Sequence, residues 1–423
     1  MLNALANLSG ARRFGSTLET LLLACTIFPA GNRLLAQDLI AGTEHGGPIR
    51  LFTSDAATLE SQETRKDLPC TVAPDKPQLG FDLKFHAGYE VTVGLKDLVG
   101  DGNQLTMIFR VTAADKPDDP AYFSQRVSVP RIDEDERGSA FLQGAFDVGE
   151  GKYHVDWLMR DREERICSAH WDAEASLAAR DKPMALSIGA EAVAPIDHEP
   201  FRQEPPVERE TTKTPIKVKV MVNFAPQDSS AASLQPVDTT ALVSILRNIA
   251  REPRIGSFTV VAYNLQEQRV IYRQEGASQI DFPSLGKALN SLNLGTVDLK
   301  RLTQKHGDSD FLGQLLTAEV KEAKSKPDAV IFAGPKVVVD ETISVETLKQ
   351  LGDVKYPVFY MNYNLNPQAN PWRDAIGNAV RYLKGAEYTI SRPRDLFFAW
   401  SEIMGRIVKS KGTAPATANV SPQ

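Results

Sequence analysis

The chain has 423 residues, of which 42% are hydrophobic, 24% charged and 8% aromatic, with 48 basic against 54 acidic side chains and a net charge of -6. Those fractions exclude a collagen-like, low-complexity or mainly disordered polymer, and the length accommodates two or three domains that each bury a core. No basic surplus exists to neutralise a phosphate backbone, so no nucleic-acid partner is expected.

The amino terminus reads as an address. Arg12 and Arg13 precede the mostly apolar stretch from Leu18 to Ala30, which Glu19 interrupts, and Ala36 supplies a small residue for cleavage. Residues 1–36 are expected to be a signal peptide, whose removal leaves a net charge of -8. A second processing route stays open, because Leu22-Leu23-Ala24-Cys25 resembles a bacterial lipobox that would anchor the chain by a lipid on Cys25. Beyond the first 40 residues no apolar run approaches the roughly 20 residues of a membrane helix, so the mature chain is expected to be secreted or periplasmic with no transmembrane helix. In that oxidising setting Cys70 and Cys167 are expected to form a disulfide, the alternative being two separate buried thiols.

Residues 41–185 are expected to form a β-sandwich. The sets Tyr89, Val91, Val93, Leu95; Leu105, Met107, Phe109, Val111; and Tyr153, Val155, Trp157, Met159 alternate with polar neighbours, which puts one face of each strand on a core. Further strands are predicted at Phe81 to Phe85, Tyr122 to Val129, Ala140 to Val148 and Arg165 to Trp171, separated by turn clusters such as Gly100-Asp101-Gly102-Asn103. About seven short strands without a helical stripe predict an antiparallel sandwich, and Trp157 with Cys167 resembles an immunoglobulin-like plan. Asp156 and Asp161 read as outward polar positions.

Residues 186–214 interleave Pro195, Pro200, Pro205 and Pro206 with many charges, a composition that predicts an extended linker. From residue 215 to 409 strand and helix alternate. Val218, Val220 and Val222 mark a buried strand, and Asp238 or Thr239 caps a helix facing inward with Leu242, Ile245, Leu246 and Ile249. Strands follow at Ser257 to Tyr263, Arg269 to Arg273, Asp328 to Ala333 and Pro357 to Met361. Helices follow at Pro283 to Leu292, Phe311 to Lys324, Val345 to Leu351, from Asn370-Pro371 onward, and at Arg394 to Val408. The pattern predicts a doubly wound, mostly parallel α/β domain. Residues 410–423, rich in Ala, Pro, Thr and Ser, read as a disordered tail.

The order of elements in residues 215–409 resembles a von Willebrand factor A-type domain. The resemblance implies a divalent-metal site built from an Asp-x-Ser-x-Ser loop after the first strand, a Thr loop before a central helix, and an Asp ending a later strand. Here the first loop reads Asn223-Phe224-Ala225-Pro226-Gln227, Gly307-Asp308-Ser309-Asp310 is the nearest match to the Thr loop, and Phe332-Ala333-Gly334-Pro335 has no Asp. Both recurrent carboxylates are missing, so Mg²⁺ or Ca²⁺ is disfavoured and no cofactor is expected. Loops at the carboxyl ends of parallel strands are where open α/β sheets bind ligands, which makes Asn223, Gln227, Asp228, Ser229, Ser230, Asp308, Ser309 and Gly334 candidates for a metal-free contact rim.

No Gly-x-Gly-x-x-Gly, P-loop, His-Glu-x-x-His, Gly-x-Ser-x-Gly or Cys-x-x-Cys motif occurs, and the six histidines are scattered. The expectation is a secreted, non-enzymatic binding or adhesion-type protein with a protein or cell-envelope partner and no catalytic residues. The alternatives are a hydrolase with an interdomain pocket and a structural envelope component.

Overall fold

The computed structural model describes residues 38–40, 52–197, 199–210, 215–228, 231, 233–292, 294, 307–321, 326–336, 343–368 and 370–413. The expected signal peptide, Cys25, Ser229, Ser230 and the carboxyl-terminal tail from residue 414 lie outside the described residues.

The first half is a pair of antiparallel sheets. Its strands are β1 (Asp38–Ile40), β2 (Cys70–Pro74), β3 (Gln78–Leu79), β4 (Phe85–Gly94), β5 (Asn103–Ala113), β6 (Ala121–Val129), β7 (Ser139–Val148), β8 (Gly151–Arg160), β9 (Ile166–Ala175) and β10 (Val193–Ala194). One sheet runs β1-β6-β5-β8-β9 and the other β10-β7-β4-β2, with β3 on β4. The period-two sets of β4, β5 and β8 all point into one core, where Tyr89, Phe109, Phe146 and Trp157 meet. Tyr89 packs edge-on to both Phe109 and Trp157, with ring centroids 5.6 and 5.7 Å away. The expected disulfide is present: Cys70 on β2 and Cys167 on β9 join the two sheets with a Cα–Cα distance of 6.2 Å.

Three local expectations need correction. Phe81 to Leu83 form a turn, and the strand begins only at Phe85. Helix α1 (Thr53–Ser61), without a strong apolar stripe, covers the outer face of one sheet by setting Leu59 against Ile108, Leu158 and Ile166. Asp156 and Asp161 are buried because each has a cationic partner, Arg110 at 2.8 Å and Arg165 at 2.7 Å.

The second half is doubly wound. Strands β11 (Ile216–Asn223), β12 (Ile255–Asn264), β13 (Arg269–Ala277), β14 (Ala329–Pro335), β15 (Val358–Tyr363) and β16 (Ala386–Ile390) form one sheet in the order β13-β12-β11-β14-β15-β16. Every pairing is parallel except that of β13 with β12. Helices α2 (Pro236–Ala250), α3 (Phe282–Leu289) and α7 (Pro393–Thr413) pack on one face. Helices α4 (Gly307–Leu316), α5 (Val345–Leu351) and α6 (Ala375–Tyr382) cover the other. The strand order reverses between β11 and β14, so a crevice opens at their carboxyl ends.

The caps differ from expectation. Helix α2 starts earlier, at Pro236, and Asp238 turns back to accept the Gln235 backbone N–H at 3.2 Å. Helix α6 starts at Ala375, where Asp374 caps it through the Gly377 N–H at 2.8 Å, so Asn370-Pro371 stays in the preceding loop.

The described residues of 186–210 carry little regular structure beyond β10, but they are docked. β10 belongs to the sandwich, which therefore reaches beyond residue 185. Arg209 donates to the Glu252, Ala250 and Ser278 carbonyls at 2.7, 3.2 and 3.1 Å, and its guanidinium lies 5.2 Å from the Phe258 ring centroid. Glu204 pairs with Arg247 and Arg251 at 2.9 and 2.6 Å. The halves also touch directly, through Phe81 against Tyr363 and Asp181 against Arg394.

Candidate functional site at the carboxyl edge of the parallel sheet

Doubly wound topology brings four loops together where β11, β12, β14 and β15 end. They enclose a cleft of about 410 Å³. Gln227 and Asp228 come from the loop after β11, Gln235 and Val237 from the start of α2, and Gln266 from the turn after β12. Lys336 follows β14, and Asn366, Asn370 and Trp372 come from the long loop between β15 and α6. The lining combines five carboxamides with two carboxylates, Asp228 and Asp238, one ammonium and an apolar rim. Val237 and Trp372 are 46% and 37% exposed, which leaves two large apolar side chains facing solvent at the mouth.

Each polar group has a local reason for its position. Gln227 donates from its amide to the Asn364 side chain at 3.2 Å, and Asn364 in turn donates to the Asn370 carbonyl at 3.2 Å, tying the first loop to the last. The Asp238 carboxylate accepts the backbone N–H groups of Gln227 and Gln235. Burial raises the Asp238 pKa despite those two bonds, so its charge is spent on the start of α2. Lys336 donates to the Asn370 and Trp372 carbonyls at 3.1 and 2.6 Å and lies 5.8 Å from the Trp372 ring centroid.

The solvent-facing rim expected from sequence needs correction at four positions. Asn223 is fully buried, its carbonyl oxygen accepting the Leu265 N–H at 3.2 Å. Gly334 is buried beside it, and a Cβ there would lie 2.9 Å from that of Asn223, so glycine is required for close approach of neighbouring strand ends. Ser309 is buried at the start of α4, and Asp308 accepts from Gln268 at 2.9 Å outside the cleft lining. Of the described candidates only Gln227 and Asp228 line the cleft. Sequence reading missed Lys336, Trp372 and the asparagines after β15; the usable signal was the long run from Asn364 to Asp374 after a buried parallel strand.

The positions at which the family resemblance implies metal ligands do not supply them here; the two carboxylates of the cleft, Asp228 and Asp238, stand elsewhere in the lining, and Asp238 is engaged by backbone N–H groups. A hard cation needs oxygen ligands. Asn223 has its oxygen engaged and presents an amide nitrogen with no hydrogen-bond acceptor. Ala225 offers a methyl group, and Gly334 and Pro335 offer no side-chain oxygen. Lys336 already brings a positive charge to the crevice.

A second titratable cluster lies on the sandwich. Asp82, His86 and Asp147 have ligand-type atoms within 4.8 Å of one another. His86 contacts Asp147 at 2.7 Å and Asp82 at 3.1 Å, while Lys84 sits 2.8 Å from Asp147. Burial opposes charge on the ring, but hydrogen bonds to Asp147 and Asp82 outweigh it and lift the His86 pKa to about 10. Two cations facing two carboxylates make this a balanced ion-pair network. His154 and His170, 6.2 Å apart, are tied instead into contacts such as His154 with Asp172 at 2.7 Å.

The fold and cleft define a protein with an antiparallel β half and a doubly wound α/β half that carries a polar crevice. No family model matches the chain, and no curated protein matches it. Among solved structures, the structural genomics target SoR45 is 12% identical over 27% of this chain and 93% of its own, with a TM-score of 0.18. A glycosyl hydrolase family 2 member from Bacteroides cellulosilyticus is 9% identical over 76% of this chain and 39% of its own, with a TM-score of 0.18. The PilB minor pilin from Streptococcus sanguinis is 8% identical over 72% and 88%, with a TM-score of 0.24. At such scores none of these bears on function. Among the described residues no helix is long and apolar enough to cross a membrane.

Proposed function

We propose that the chain is an exported, non-enzymatic binding protein in which an immunoglobulin-like sandwich carries a von Willebrand factor A-like domain with a degenerate metal site. The observation that carries this reading is the crevice at the β11–β14 strand-order reversal, polar within, apolar at its mouth, and furnished with carboxamides and a lysine at the edge where the resemblance implies metal-binding oxygens. The partner is a protein or cell-envelope component held at that crevice. The docked strap and the Cys70–Cys167 disulfide make the sandwich a firm support for it.

The reading is tested by a pull-down from envelope extract with the full chain. Trp372→Ala combined with Val237→Ala is expected to weaken capture at least tenfold, since truncating a tryptophan anchor at an interface commonly costs about 2 kcal/mol or more. Capture is expected to persist in excess EDTA. Retention of the partner by the double variant would remove the crevice from consideration.

A further inference from the structure

Resting on that reading of the crevice, we propose that Lys336 is its specificity-determining cation and that the partner inserts a carboxylate, an Asp or Glu side chain of a protein, against the Lys336 ammonium. An ammonium has three N–H donors. Two of them are held by the Asn370 and Trp372 carbonyls, which fixes Nζ on the cleft wall and leaves one donor for a ligand. Lys336 is half-buried, and among the described residues it forms no ion pair. Its hydrogen-bond partners are neutral carbonyls, whereas other half-buried cations among the described residues, such as Lys84 and Arg247, meet a carboxylate directly.

The carboxylates near it do not fill that role. Neither carboxylate of the lining, Asp228 or Asp238, forms an ion pair with Lys336 among the described residues, and Asp238 accepts the backbone N–H groups of Gln227 and Gln235. The Asn366 side chain supplies an amide that can bond the second carboxylate oxygen or the adjoining main chain, and Trp372 with Val237 can cover the apolar stem. A carboxylate-bearing side chain of Asp or Glu size fits a cleft of about 410 Å³ with room for its flanking residues. The lysine thus does by a covalent cation what a bound ion would do at this edge, and recognition needs no metal.

The test is selection of a displayed random dodecapeptide library on the full chain in EDTA. Enriched peptides are expected to share an Asp or Glu at one fixed position. Their binding should fall roughly tenfold or more in Lys336→Met, survive in Lys336→Arg, and weaken as salt is raised. Wild-type salt dependence needs no variant, so it stands even if Lys336→Met perturbs the loop. Binders without a shared acid, binders whose acid-dependent affinity is unchanged in Lys336→Met, or a library that yields no binder would each overturn the assignment. Loss with Trp372→Ala but not with Lys336→Met would overturn the lysine while leaving the crevice; indifference to both would overturn the crevice as well. Capture of acidic sugars instead of acidic peptides would overturn the choice of a protein side chain.

Discussion

Replacing Glu319 by alanine is expected to destabilise the α/β half by about 3–5 kcal/mol, because it leaves a lysine ammonium buried without its counter-charge. Lys219 sits on β11 in the middle of the sheet, 6% exposed, and donates to the Glu319 carboxylate at 2.8 Å and to its backbone carbonyl at 2.9 Å. Arg273 of β13 reaches the other carboxylate oxygen. Equilibrium denaturation should show a lower midpoint for Glu319→Ala, while the double variant Lys219→Met with Glu319→Leu should lie much nearer the parent, since apolar groups of similar volume avoid the desolvation cost. The same pair gives a pH signature. Burial raises the Glu319 pKa, but hydrogen bonds from Arg273 and Lys219 outweigh it and hold the pKa below the ordinary glutamate value. A folded pKa below the unfolded one means that the stabilisation is complete above the unfolded value, near pH 4.5, and is lost as pH falls through the folded value. Wild type should therefore lose more stability than the apolar double variant on acidification below about pH 4.5. Equal acid slopes would show that the pair is not coupled as described.

Removing the disulfide is expected to have the next largest effect. Cys70 and Cys167 are 97 residues apart, and closing a loop of that length restricts the unfolded chain by about 4–5 kcal/mol in the entropic model. Reduction, or Cys70→Ser with Cys167→Ser, should lower the thermal midpoint of the sandwich transition. Trp157, fully buried in that core, reports it by fluorescence. Trp400, on the inward face of α7, belongs to the other core, so a probe specific to it should move less. A reduced protein with an unchanged Trp157 transition would refute a stabilising role for the bridge.

How much of this was legible in the sequence follows from which contacts are local. The alternation in β4, β5 and β8 set the faces that enter the sandwich core correctly, although α1 buries part of the opposite face of β5 and β8. The same logic sends Lys219 to solvent, since it alternates with Val218 and Val220; in a sheet covered on both faces it is buried instead, paired with a residue 100 positions away. β16 went unread because its residues Ala386 to Ile390 form a short, half-buried edge strand. α1 went unread because it covers the sheet with little more than Leu59. The cleft was half legible. Gln227 and Asp228 follow the first parallel strand, so topology points to them. Lys336 and Trp372 become neighbours only when β14 and β15 pair, and no spacing in the chain encodes that. The strap looked like a free linker because composition is blind to Arg209 finding three carbonyls at once.

The most direct measurement is thermal unfolding of the full chain in excess EDTA and then in excess Mg²⁺ or Ca²⁺. Binding to the native state alone stabilises by about 2.7 kcal/mol at a hundredfold excess over the dissociation constant, a shift of several degrees. With Asn223, Ala225, Gly334 and Lys336 at the carboxyl edge, the expected result is one midpoint in all three conditions. A rise with either cation that Asp228→Asn abolishes would contradict the metal-free crevice.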